Sequence, residues 1–207
     1  PDEVPALRPL IWRLLLNHLP TQTSDWTKVI DSQRTIYENF RRELILEPEL
    51  KHAQNDHFKS LRPVEDHPLS LKKDSIWNKY HEDKDIWEEI EKDIKRTRSE
   101  IGFFTRPVEK REFSEEEGGL QIQAECKKQE LNAGHKEAYI ETHADVMSRI
   151  LFIYAKLNPG IKYVQGMNEI LATLYFVFDK DNTTIMRANL ESDLFFCFTH
   201  LMAEIET

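Results

Sequence analysis

Apolar residues recur along this chain at spacings of three and four, the period of a helix that buries one face. In LRPLIWRLLLNHL, residues 7–19, Leu7, Leu10, Ile11, Leu14 and Leu15 fall on one stripe, and Pro20 ends it. A second helix is predicted over residues 23–44. Thr23, Ser24 and Asp25 offer capping oxygens, and Trp26, Val29, Ile30, Ile36, Tyr37, Phe40 and Leu44 carry the apolar period. From Pro48 to Ser75 the period is lost, and Pro48, Pro63 and Pro68 punctuate a polar loop. The period returns in DKDIWEEIEKDIKRT, residues 83–97, with Ile86, Trp87, Ile90 and Ile94 as its buried stripe. Acidic residues then occupy the first turn, where the helix dipole favours them.

Residues 106–137 are dense in charge and contain Gly118-Gly119. They read as an insertion, with a short helix around Leu120 to Leu131, too poor in apolar residues to be held rigidly enough for chemistry. HADVMSRILFIYAKL follows as a helix, and NPG at 158–160 breaks it. A further helix carries Met167, Ile170, Leu171, Leu174, Tyr175 and Phe178, and ESDLFFCFTHLMAEI closes the chain. No strand alternation or internal repeat is visible. The expected class is all-α, one multi-helix domain over residues 1–207 with short connections and one long charged insertion.

Composition narrows the function. The 207 residues are 40% hydrophobic and 31% charged, ordinary for a domain with a real core. Lys and Arg number 28 against 37 Asp and Glu, a net charge of −9 that argues against nucleic-acid phosphates or anionic lipid as partners. Cys126 and Cys197 match no metal or redox spacing and read as reduced structural thiols. The longest apolar run, ILATLYFVF at 170–178, is far short of the ~18–20 residues a bilayer span needs. The first twenty residues lack a signal-peptide pattern, so the expectation is a soluble, intracellular protein. None of the eight histidines sits at metal-ligand spacing, so no metal is expected. There is no phosphate-binding G-x-x-x-x-G-K-[ST] loop and no nucleophilic triad, and ETHAD at 141–145 reads as solvated charge.

Two stretches resist a pure packing account. In IEKDIKRT, Asp93 and Arg96 are three apart and therefore neighbours on the helix surface. Spacing leaves two possibilities open: a solvated ion pair, or an acid that aims a guanidinium at a partner's anion. In YVQGMNEI, Gln165 falls at or just before a helix N-terminus, whose free N–H groups favour anions. Gly166 permits close approach or an unusual φ, and Asn168 is placed to cap or brace the loop.

Together these stretches resemble the TBC domain found in GTPase-activating proteins for Rab GTPases. The matching motifs are Ile90-x-x-Asp93-x-x-Arg96, then Tyr163-x-Gln165-Gly166, preceded by Arg8-x-x-x-Trp12. The segment ESDLFFCF, residues 191–198, resembles the acidic-then-aromatic helix after the glutamine motif. The resemblance implies an activator of a partner's GTP hydrolysis rather than an enzyme with its own substrate. Arg96 would be an arginine finger and Gln165 a glutamine finger, both delivered in trans. Asp93, Tyr163, Gly166 and Asn168 would support them: Asp93 orients Arg96, Gly166 gives clearance and Asn168 braces. Arg8, Trp12 and Ile90 would be structural. The implied partner is a GTP-bound Rab that brings its own GTP and Mg2+, so no cofactor of the chain's own is expected. Location would be cytoplasmic, peripheral to endomembranes through the Rab, in vesicle trafficking. The family domain has a second helical half beyond the glutamine motif, so these residues would form its N-terminal catalytic part. The alternative is a non-catalytic helical module that binds a Rab or acts as a scaffold.

Overall fold

A computed structural model describes residues 7–46, 76–97, 101–108, 140–181, 183, 186 and 189–205. Six α-helices occur among them: α1 (Leu7–Leu15), α2 (Trp26–Arg41), α3 (Ile76–Ile94), α4 (His143–Leu157), α5 (Met167–Phe178) and α6 (Leu190–Ile205). No β-strand occurs among the described residues, only an isolated antiparallel bridge between Pro107 and Thr142. The all-α expectation holds. The 48–75 loop, the helix around Leu120 to Leu131 and Cys126 lie outside the described residues.

The centre is α4. Every residue from Val146 to Ala155 is buried, because α3, α5 and α6 all pack against it. That explains its nearly continuous apolar run, a pattern expected where a helix has neighbours on all sides. Its N-terminus is a capping box in which Thr142 and Asp145 satisfy each other's backbone N–H groups. Asn158 ends it, with both its backbone and side-chain nitrogens on the Tyr154 carbonyl, at 3.0 and 2.9 Å. Helix α6 is nearly as enclosed and packs on α2, α4 and α5.

Enclosure forces the polar residues of these helices to find partners inside. Arg149 of α4 meets Glu191 of α6 through Nε at 2.7 Å and Nη2 at 2.8 Å, and reaches Glu141 at 2.6 Å. The Tyr37 hydroxyl of α2 donates to the same Glu191 at 2.8 Å. Burial alone would lower the Arg149 pKa, but Glu191 and Glu141 hold it well above the usual arginine value. Arg13 of α1 is fully buried, giving Nε to Asp193 at 2.8 Å and Nη1 to Asp181 at 2.6 Å. Its remaining Nη2 has no hydrogen-bond acceptor among the described residues; the guanidinium lies over the Phe178 ring, 4.6 Å from the centroid. His18 Nε2 sits 3.0 Å from the second Asp193 oxygen. Cys197 is a free, buried thiol whose pKa is raised, first by burial and then by Asp193.

Four expectations change. Helix α1 turns part of its apolar stripe outward: Leu7, Ile11 and Leu15 are 47%, 43% and 69% exposed, Leu10 and Leu14 pack half-buried against Leu19, Ile30 and Met186, and Pro9, Arg13 and Leu16 face in. Two enclosed aspartates need a cation, and Arg13 supplies it only in that rotation. Thr23–Asp25 form a 3-10 turn and make no side-chain cap to α2. Helix α3 begins at Ile76, so the acidic residues after it lie mid-helix, away from the positive end of the dipole. ETHAD is not solvated charge. Thr142 and Asp145 cap α4, Glu141 pairs with Arg149, and buried His143 lies 2.7 Å from the Tyr175 hydroxyl, stacked on Phe103.

Arg13→Ala strands two buried carboxylates and is expected to cost about 3–5 kcal/mol. Lys92→Ala, at a solvated pair with Glu88, is expected to cost under about 0.5 kcal/mol. Urea unfolding midpoints of the two variants check the contrast.

Candidate functional site

The C-terminal end of α3 tightens after Ile94. Arg96 N–H bonds the Asp93 carbonyl and Thr97 N–H the Ile94 carbonyl, each at 3.0 Å. Ile90 and Ile94 seat this end in the core, at 0% and 6% exposure, and Ile86 and Trp87 pack against it half-buried. Asp93 lies on the same side, only 5% exposed, whereas the Arg96 side chain is 68% exposed. The pair is therefore not a solvated one: a buried acid holds an exposed cation.

The loop between α4 and α5 meets this end. Ile161 and Lys162 N–H groups both return to the Asn158 carbonyl, at 3.1 and 2.8 Å, and Lys162 adopts a positive φ of 60°. Tyr163 then turns inward, while Val164 and Gln165 are exposed. Gly166 stands at the N-cap of α5 with φ 102°. That left-handed backbone favours glycine, and a Cβ there would meet nothing within 4 Å. Within the chain, conformation rather than clearance is what calls for glycine. Asn168, the second residue of α5, is buried; its side chain both accepts the N–H of the N-cap Gly166 and braces the loop.

Asp93 joins the two segments. Its Oδ1 accepts from Arg96 Nη2, and its Oδ2 accepts from the Tyr163 hydroxyl at 2.9 Å. Arg96 Nε also donates to the Lys92 carbonyl at 3.2 Å. Asn168 Oδ1 takes the Gly166 N–H at 3.1 Å and lies 3.3 Å from the Tyr163 oxygen. Asn168 Nδ2 donates to Thr97 Oγ1 at 2.7 Å. Arg96 and Gln165 thus project into solvent from segments stitched together by buried Asp93, Thr97, Tyr163 and Asn168. Arg8 and Trp12 lie elsewhere, on α1, which packs on α5 and α6; Arg8 is exposed and Trp12 half-buried against the core.

The profile of the Rab-GTPase-TBC domain matches residues 120–207. TBC1 domain family member 13 of Mus musculus is 38% identical over 231 residues, covering 97% of this chain, and its Homo sapiens counterpart is 37% identical over the same share. The chain belongs to the Rab-GTPase-TBC domain family. It spans 58% of the length of those two relatives and is a partial TBC domain. The crystal structure of the Ypt/Rab-GAP domain of Gyp1p shares its fold, with a TM-score of 0.52 at 20% identity, over 99% of this chain and 49% of that one.

In this TBC chain, local pattern left part of the site unseen. Thr97 carries no signal beyond following Arg96, and the Asp93–Tyr163 bond spans seventy positions of sequence. No group of His, Cys, Asp or Glu among the described residues is arranged to hold a metal, and no helix among them is long and apolar enough to cross a membrane.

Burial, then the hydrogen bond and charge of Asp93, push the Tyr163 pKa well above the usual tyrosine value. A raised folded-state pKa favours the neutral phenol, so its contribution to stability is complete below pH about 10 and is lost as pH rises further. Urea midpoints at pH about 9 and about 11 should fall less steeply for Tyr163→Phe than for wild type. Gly166→Ala should cost about 1–2 kcal/mol through backbone strain alone, read from the same unfolding measurement at neutral pH.

Proposed function

We propose that this domain activates a Rab GTPase, with Arg96 and Gln165 entering the partner's nucleotide site together. The observation that carries the proposal is the pairing of an exposed guanidinium and an exposed carboxamide on segments tied by one buried network. The family supports it, and the Gyp1p domain that shares the fold is a Ypt/Rab-GAP domain.

The residue types suit the chemistry. GTP hydrolysis spreads negative charge over the γ-phosphoryl and leaving oxygens, and a guanidinium neutralises it without taking part in proton transfer. Arg96 uses Nε and Nη2 within the chain, and its Nη1 makes no hydrogen bond among the described residues. Asp93 limits the rotamers the long side chain samples, which lowers the ordering cost on docking. Gln165 both donates and accepts, so its amide can hold a water in line with the γ-phosphorus. GTP and Mg2+ come with the Rab; this chain contributes charge and orientation only. The Rab's lipid anchor would bring the domain to endomembranes, where vesicle trafficking is regulated.

Single-turnover hydrolysis by a panel of GTP-loaded Rabs tests this, using the chain extended to the length of its relatives. Arg96→Ala should lower the stimulated rate of the responsive Rab by about 10³-fold or more, equivalent to at least about 4 kcal/mol of barrier. Gln165→Ala should abolish most of the stimulation, and Arg96→Lys should fail because a point charge cannot replace a planar fork. All three variants should keep wild-type circular dichroism. Full stimulation by both alanine variants would end the two-finger mechanism. Nucleotide-dependent binding by wild type without faster hydrolysis of any Rab would leave a binding module instead.

A further inference from the structure

Asn168 is bonded on both sides of its carboxamide. Its Oδ1 accepts the N–H of Gly166, the residue after Gln165. Its Nδ2 donates to the hydroxyl of Thr97, the residue after Arg96, and lies 3.4 Å from the Asp93 carbonyl. The direction of each bond is set by its partners. The Thr97 hydroxyl gives its single proton to the Asp93 carbonyl at 3.0 Å, so it can only accept from Asn168. The Gly166 N–H can only donate. The side chain between them must therefore present an acceptor to one and a donor to the other at the reach of asparagine. Thr97 is 3% exposed and Asn168 6%, so water is excluded from replacing either bond.

We infer that Asn168 and Thr97 are positioning residues, a clasp that sets the spacing between the backbones carrying Arg96 and Gln165; its role in hydrolysis rests on the two-finger proposal above. The clasp is distinct from the Asp93–Tyr163 bond. Asp93 orients the guanidinium with one carboxylate oxygen and meets the Tyr163 side chain with the other, whereas the clasp runs from the residue after Arg96 to the main-chain N–H of the residue after Gln165, so each finger is placed relative to its companion. A displacement of about 1 Å in a catalytic group costs on the order of 10²-fold in rate. A spacing error therefore falls on the chemical step and leaves docking unchanged.

Thr97→Val keeps the β-branched shape and removes the acceptor; Thr97→Ser keeps the acceptor. With the responsive Rab, Thr97→Val should lower the maximal single-turnover rate by about 10²-fold, with the half-saturating concentration within about twofold of wild type. Thr97→Ser should restore most of the rate. In an Arg96→Ala background Thr97→Val should add less than about twofold, because the spacing between two fingers no longer matters once one of them is gone. A shift confined to half-saturation, or a fully multiplicative loss in that background, would overturn the role in hydrolysis. Amide hydrogen exchange of the chain alone supplies an arm that needs no Rab. Thr97→Val should speed exchange at the Gly166 N–H by about tenfold, with slow core amides on α4 unchanged, and Thr97→Ser should not. Wild-type exchange at Gly166 in Thr97→Val would overturn the clasp itself. If wild type accelerates no Rab, the two-finger proposal fails and the exchange result still decides the clasp.

Discussion

Two carboxylates in the first turn of α6 decide how the helices sit. Glu191 receives Arg149 from α4 and Tyr37 from α2, and Asp193 receives Arg13 and His18 from α1 and the turn after it. Neither acid is open to water, and a charge left alone in that position is far more costly than any single apolar contact is favourable. Apolar surfaces tolerate sliding and rotation; an enclosed ion pair with two or three directed hydrogen bonds does not. The outward half of the α1 stripe illustrates the ranking. Burying Leu7, Ile11 and Leu15 would gain hydrophobic free energy, yet the helix takes the rotation that brings Arg13 between Asp181 and Asp193.

The junction of α3 with the α4–α5 loop uses the same chemistry with one inversion. In the α6 framework acid and base are both enclosed. At Asp93 the acid is enclosed and the base is not: one oxygen is bound by the inward Tyr163 and the other by the outward Arg96. The carboxylate belongs to the core, and the guanidinium remains available to an outside anion. An arginine on an unbraced surface would sample many rotamers, and one paired on all sides would be unable to leave. Half-engagement lies between these, restrained but not satisfied.

Helical period made much of this fold readable. Ile90 and Ile94 are core residues as their spacing predicts, NPG ends α4 at Leu157, and α5 starts beside Gln165. Period tells that a helix has two faces without saying which neighbour each face meets, so the rotation of α1 was beyond it. The onset of α3 was missed because Trp77 and Tyr80 are separated from Ile86 by a charged run that hides the continuing helix. ETHAD contained a legible T-x-x-D capping pattern that a composition-led view treated as loose charge. At the junction, a spacing of three between Asp93 and Arg96 fits a solvated pair as well as a braced one. The burial that separates the two comes from Tyr163 and Asn168, remote in sequence, and no local pattern reports it.

The segment ending at Val108 and the segment leading into α4 meet at one small crossing. Val108 N–H bonds the Glu141 carbonyl at 2.8 Å, and His143 N–H bonds the Arg106 carbonyl at 3.2 Å. Closing a loop costs free energy that grows only with the logarithm of its length. A crossing pinned in this way works as a strain relief: residues inserted or deleted between its two sides pull on the pin and not on α4. The start of α4, and through it the packing around Asp93 and Tyr163, is thereby insulated from changes in chain length between the two sides of the pin.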